Sequence, residues 1–122
     1  MPLELGVFLA AKRFGARPHK LKRCIVLDKQ QYRYQKYISD ISGQDINSHD
    51  GKVPTLIEKL VSWLRRESGD AKVPGGREIA GEFKVFKREM AKICVARNLQ
   101  PDELTFGDYA QMVAEYLDTV VV

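Results

Sequence analysis

A helix-rich α/β fold is what this sequence predicts, and three observations carry that reading. Cys24-Ile25-Val26-Leu27 is a continuous apolar run of the kind a parallel strand covered on both faces displays. Several longer segments instead repeat their apolar residues at helical spacing. Only one other short stretch, near 44–47, can serve as a partner for the strand. The expectation is one clear strand over 22–28, a second near 44–47, and about five helices, the last two forming an αα-hairpin.

The first helix is expected from Leu3 to Phe14, with Leu5, Phe8 and Leu9 as its apolar stripe and Gly15 as a left-handed cap. Pro18 blocks its continuation, and Leu21 to Asp28 then reads as the buried strand. From Gln30 to Ile41 the pattern turns helical again, with Tyr34, Tyr37, Ile38 and Ile41 on one side. Ser42-Gly43 and Asn47-Ser48-His49-Asp50-Gly51 supply loop chemistry. A third helix is expected over Pro54 to Arg66, where Leu56, Ile57, Leu60, Val61 and Leu64 make a clean stripe and Trp63 lies at its edge.

Glu67 to Gly76 gathers Ser68, Gly69, Pro74, Gly75 and Gly76, and marks a boundary between an α/β domain over 1–68 and a helical hairpin over 77–122, with 69–76 as linker. Beyond it Ile79, Phe83, Phe86, Met90 and Ile93 alternate spacings of four and three, the signature of a helix packed along one seam. That helix is expected to end near Asn98. Thr105 and Asp108 resemble a capping box with Asp in place of Glu, opening a last helix that bears Tyr109, Met112, Val113, Tyr116 and Leu117.

Composition bounds the function classes. With 44% hydrophobic and 30% charged residues the chain reads as a globular protein, and no apolar run approaches the roughly 20 residues that a membrane span needs. No membrane partner is expected. Glu4 interrupts what would be the apolar region of a signal peptide. Cys24 and Cys94 read as buried thiols of a reducing compartment, which points to the cytoplasm. The net charge of +4 is local in origin: Lys12, Arg13, Arg17, Lys20, Lys22 and Arg23, with His19 among them, crowd one segment. Such a cluster attracts phosphate or nucleic acid. The plainer reading, cations favoured at a helix C-terminus and solvating the following loop, is preferred.

Three constellations invite chemistry. Glu4, a carboxylate in the first turn of a helix and followed by Gly6, can stabilise an oxocarbenium-like ribosyl centre or act as a nucleophile, or can merely complement the helix dipole. In Gln30 to Tyr37 aromatics and cations interleave as in platforms for single-stranded nucleic acid, but Tyr34, Tyr37 and Ile38 share an apolar face, which favours core packing. Asp40, Asp45, Asn47, His49 and Asp50 suggest a calcium loop, yet from Asp45 the required Gly falls on Asp50 and the closing Glu on Leu56. His49 then reads as a loop hydrogen-bonding residue. No metal and no cofactor is expected, and Gly-rich nucleotide fingerprints, Walker loops and Ser-hydrolase elbows are lacking.

Met1-Pro2-Leu3-Glu4-Leu5-Gly6, Lys22 to Asp28 and Tyr32 to Ile46 resemble the C-terminal part of a bacterial family of uncharacterised proteins, themselves similar to Toll/interleukin-receptor-like and nucleoside 2-deoxyribosyltransferase-like α/β domains. The resemblance covers about Met1 to Arg66, and the tail from Pro74 is similar to the helical end of such proteins. It implies that the sheet is a remnant of a flavodoxin-like parallel sheet whose preceding strands and helices are missing. It implies too that Glu4 matches the catalytic glutamate of those N-glycosidic-bond-cleaving domains and that the ligand is a nucleotide or nucleoside. The alternative is a non-catalytic module that binds protein or nucleic acid. An unpaired strand edge, or the Phe83, Phe86 and Met90 seam, leads to the expectation of a homodimer. If instead the hairpin folds back over the sheet edge, a monomer results.

Overall fold

The structure is a computed structural model that describes residues 2–31, 33 and 46–120. It is a helix-rich α/β protein. Its elements run α1 (Pro2–Phe14), α2 (Arg17–Lys20), β1 (Val26–Asp28), β2 (Ile46–Ser48), α3 (Val53–Ser68), α4 (Gly76–Ala96), a 3-10 turn (Pro101–Glu103) and α5 (Phe106–Val120). The chain divides into two compact units, Met1–Arg77 and Glu78–Val122, so the division falls inside the first turn of α4.

In the first unit β1 and β2 pair in parallel, with Val26 opposite Ile46 and Asp28 opposite Ser48. Residues 29–45 are long enough for the crossover a parallel pair requires. The ladder is described over three pairs, and residues 42–45 lie outside the described residues. The helix expected over Gln30 to Ile41 likewise lies outside them, apart from Gln30, Gln31 and Arg33.

Two details around α1 differ from expectation. Gly15 is not a left-handed cap: its N–H reaches the Ala11 carbonyl at 2.8 Å, and a Cβ there would collide with that same oxygen. Glycine is needed for close approach, not for its φ angle. Pro18 does not only stop a helix, because it occupies the first turn of α2, where its missing N–H forfeits no helical bond.

From β2 the chain turns through His49 to Lys52, whose N–H returns to the His49 carbonyl at 2.8 Å. Asp50 (φ 53°) and Gly51 (φ 73°) are both left-handed, as a tight type I′ turn demands. α3 then runs back along the sheet. Lys59 Nζ donates to the Ser48 carbonyl, tying the helix to the end of β2, and Gly69 at φ 64° closes it with an N–H to the Arg65 carbonyl.

The second unit is an αα-hairpin of α4 and α5 around Phe86, Met90, Cys94 and Met112, against which Phe83, Ile93, Leu99, Leu104, Tyr109, Val113 and Tyr116 pack. Phe86 stands edge-on to Tyr109 (centroids 5.8 Å apart, planes at 87°), an arrangement the ring quadrupoles favour. The expected seam is therefore closed within the chain by α5, which leaves Phe86 and Met90 no surface for a symmetry mate. Past α4 the chain turns at Asn98 (φ 53°) and closes with the Leu99 N–H on the Cys94 carbonyl at 2.9 Å. α5 starts on the reciprocal cap read from the sequence: Thr105 N–H donates to Asp108 Oδ2 (2.9 Å) and Asp108 N–H to Thr105 Oγ1 (3.2 Å).

Candidate functional site

Three places in the first unit bear chemistry, and they are distinct. Glu4 lies fully exposed in the first turn of α1. The chain's terminal amino group hydrogen-bonds its carboxylate, with a further backbone bond, and holds the carboxyl below its ordinary value. Glu4 is thus ionised at neutral pH, suited to facing a positive centre and unsuited to donating a proton. Among the described residues nothing stands within 4 Å of where a Cβ on Gly6 would be.

The second place is the carboxyl edge of the sheet, where ligands of open parallel sheets ordinarily bind. Asp28 ends β1 and meets Arg33, with Oδ1 2.5 Å from Nη2 and Nε–H donating to Oδ2 at 3.3 Å. Desolvation pushes the Asp28 carboxyl up, but the Arg33 guanidinium and the Lys29 and Gln30 backbone amides outweigh it, and the net direction is down. His49 continues the edge: its N–H donates to the Asp28 carbonyl and its Nδ1 accepts from Gly51 N–H at 3.1 Å. It is a loop hydrogen-bonding residue, as read from the sequence. Asp40 and Asp45 lie outside the described residues, and among the described residues no three His, Cys, Asp or Glu side chains are grouped to hold a metal ion. The aromatic and cationic platform is also beyond them except for Arg33, which is engaged by Asp28.

The third place was not legible as a site. A cleft of about 150 Å³ opens between the sheet and α3, lined by Ile25, Asn47, Lys59, Ser62, Trp63 and Arg66. Lys59, Ser62, Trp63 and Arg66 follow the i, i+3, i+4, i+7 pattern and so share one face of α3, beside the apolar stripe that holds buried Val61. That polar stripe was the available signal, hidden because the apolar one dominates the same helix. α3 runs away from Ser48, so the step from Lys59 to Arg66 carries the cleft toward the amino ends of the strands, where Ile25 precedes β1. Glu4 is not among its lining residues.

An ammonium, a guanidinium, a hydroxyl and an amide around one indole make a place for a small anion attached to a flat ring. The volume suits a phosphate or a single ring, well under the 300 Å³ at which enclosed drug-sized sites begin. Lys59 already donates one hydrogen bond to the Ser48 carbonyl, leaving the other two N–H donors of its ammonium. Arg66 Nε donates to Glu67 Oε1 at 3.3 Å, and Glu67 in turn pairs with Arg23 at 3.3 Å, so the guanidinium is held in place at the cleft's end.

Fold and site together define a small helix-rich α/β domain with a polar cleft under its long helix. Comparison with protein-family models, curated proteins and solved structures finds no match to this chain.

Proposed function

We propose that this chain binds a nucleotide or a related phosphorylated nucleoside fragment in the α3 cleft. The phosphate would sit in the cleft near Lys59 and Arg66, with the ring reaching past Trp63 toward the open side, since about 150 Å³ holds one of the two. The single observation that carries the reading is that two cations, Ser62 and Asn47 line one cleft with the only tryptophan of the sequence. Charge-assisted hydrogen bonds to a phosphate are the strong ones, and one planar aromatic gives a ring its stacking partner. The family resemblance of Glu4-Leu5-Gly6 and Tyr32 to Ile46 agrees with such a ligand. It further suggests cleavage or transfer at an N-ribosyl bond with Glu4 as the ionised group, a role that needs a ligand at Glu4 itself, since Glu4 does not line the α3 cleft.

Trp63 makes the test direct. Its fluorescence should respond saturably to a nucleoside monophosphate, weakly to inorganic phosphate and least to the unphosphorylated nucleoside. Lys59→Ala or Arg66→Ala should weaken the monophosphate by about tenfold or more, since a hydrogen bond to a charged group contributes roughly 1.5–3 kcal/mol. An unchanged signal with all three would sink the cleft reading. Enzymatic action is a separate question: base release from NAD or deoxynucleosides that persists in Glu4→Gln would remove Glu4 from the chemistry.

Two further parts of the reading concern assembly and place. Among the described residues no third strand pairs with the outer edge of β1 or β2, which supports association of two copies through a sheet edge. Sedimentation at micromolar concentration tests it, because a concentration-independent 13.9 kDa species would contradict a dimer. Cys24 and Cys94 are both free thiols; Cys94 is buried at 1% exposure, whereas Cys24 is half-buried and not buried as expected, and the free thiols support a cytoplasmic protein. No helix among the described residues is long and apolar enough to cross a membrane.

A further inference from the structure

We propose that the α1–α2 corner docks on an anionic phospholipid surface. α1 is apolar on two opposite sides. Leu5, Phe8 and Leu9 are half-buried, while Leu3 (78% exposed), Val7 (62%) and Phe14 (80%) stand at i, i+4 and i+11 on the far face, and Leu21 (68%) follows α2. A surface helix ordinarily turns its second face to water with polar residues, so an apolar second face fits an apolar medium beyond it.

Charge identifies that medium. Between Glu4 and Asp28 the sequence holds no acid, and Arg13, Arg17, Lys20 and Lys22 are all exposed where α1 gives way to α2 and the strand. Arg23 is engaged by Glu67 and Lys12 is half-buried, so these four carry the patch. The Arg13 guanidinium lies 5.5 Å from the Phe14 ring centroid, a cation flanking an exposed ring as at a headgroup boundary. Nucleic acid would use the cations and the ring of Phe14 but has no use for Leu3, Val7 and Leu21. An anionic bilayer face uses both sets, aliphatic side chains entering the acyl boundary and cations meeting the headgroups. Such adsorption requires no spanning helix.

The test is cosedimentation of the full chain with phosphatidylcholine vesicles, with or without phosphatidylserine. Binding should require phosphatidylserine and fall steeply with salt. Lys20→Ala with Lys22→Ala should weaken it roughly thirtyfold, each cation near the surface being worth about fivefold. Val7→Ser with Phe14→Ser should weaken it at least about tenfold, and because both side chains are exposed the thermal melt of that variant should match the parent. Equal binding to neutral vesicles, or none to either, overturns the proposal. So does pelleting without vesicles, which would make a second copy the cover of the apolar face. Binding to single-stranded DNA that ignores the Val7 and Phe14 changes overturns it in favour of nucleic acid.

Discussion

The two units of this chain bury their side chains very differently. From Glu78 onward, Ala80, Phe86, Met90, Cys94 and Met112 are buried, and Met112 and Cys94 are almost wholly sealed. In the longer unit from Met1 to Arg77, Val61 alone among the described residues is buried; exposed large apolar side chains occur in both units, Leu3, Val7, Phe14 and Leu21 in the first and Val95, Phe106, Leu117 and Val120 in the second. The hairpin builds its buried core locally, since α4 and α5 adjoin in sequence and each offers one stripe to the other. A parallel sheet must assemble its core from distant segments and several strands, and two strands of three residues cover little. What teaches most is where chemistry resides. The loosely cored unit carries the α3 cleft, the Asp28–Arg33 edge and the basic apolar corner. Binding surfaces and low local stability commonly coincide, because both need groups that packing has not consumed.

The largest effect should come from breaking the better core. Phe86→Ala removes a ring that touches Phe83, Tyr109 and Tyr116 and should cost about 3–5 kcal/mol. Val61→Ala, the corresponding change in the first unit, should cost only about 1–2 kcal/mol. Urea unfolding followed by backbone amide exchange would separate the two, since α4 and α5 amides should be the better protected in the parent chain. Equal protection in both units would end the comparison as drawn here.

Backbone geometry offers the next effect, within the weaker unit. A Cβ at Gly76 would stand 2.6 Å from the Glu58 Cα, a backbone atom that cannot swing aside. Gly76→Ala should therefore destabilise the first unit by about 1–3 kcal/mol, in the range of overpacked sites. Gly69→Ala meets no neighbour but must adopt φ 64°, so its cost should be smaller, about 1–2 kcal/mol. A thermal melt that ranked the two in reverse would mean that α3 and the start of α4 yield more readily than their contact implies.

Sequence and structure agree best where a signal is local. The Phe83, Phe86, Met90 spacing defined the hairpin seam, and Thr105 with Asp108 defined the start of α5, because helical period and cap are written within a few residues of one another. A strand was legible from the apolar run and its partner from elimination, but the strand spans only Val26–Asp28 and not 22–28, and its residues are half-buried where a strand covered on both faces was expected. The close approach of Gly15 to Ala11 was not legible, since a glycine's neighbours depend on tertiary placement. Nor was the α3 cleft: one helix carries both an apolar and a polar stripe, and only the position of Ile25 and Asn47 tells which polar residues line a space. Glu4 was the most conspicuous carboxylate in the sequence, and its exposure depends on tertiary placement that no local pattern encodes.

The smallest effects are electrostatic, and they sharpen the contrast by touching one carboxylate in each unit. Asp108 is held below the ordinary Asp value by the Thr105 hydroxyl and backbone N–H, with Arg97 adding attraction. Asp28 is held low by Arg33 and two backbone amides against the desolvation that opposes them. For both, the folded-state pKa lies below the unfolded one. The stability each contributes is thus fully present above the ordinary value of 3.8 and is lost as pH falls through the lowered folded value. Thr105→Ala removes the reciprocal cap and should cost about 1 kcal/mol at neutral pH. It should also flatten the acid limb of the helical unit's stability, because Asp108 then titrates nearer its ordinary value. Arg33→Ala should flatten the same limb for the α/β unit alone. Acid titration followed at α5 amides and separately by Trp63 fluorescence would read the two units apart. If Thr105→Ala left the α5 acid limb unchanged, the cap would be a geometric start signal with no electrostatic share in holding the hairpin.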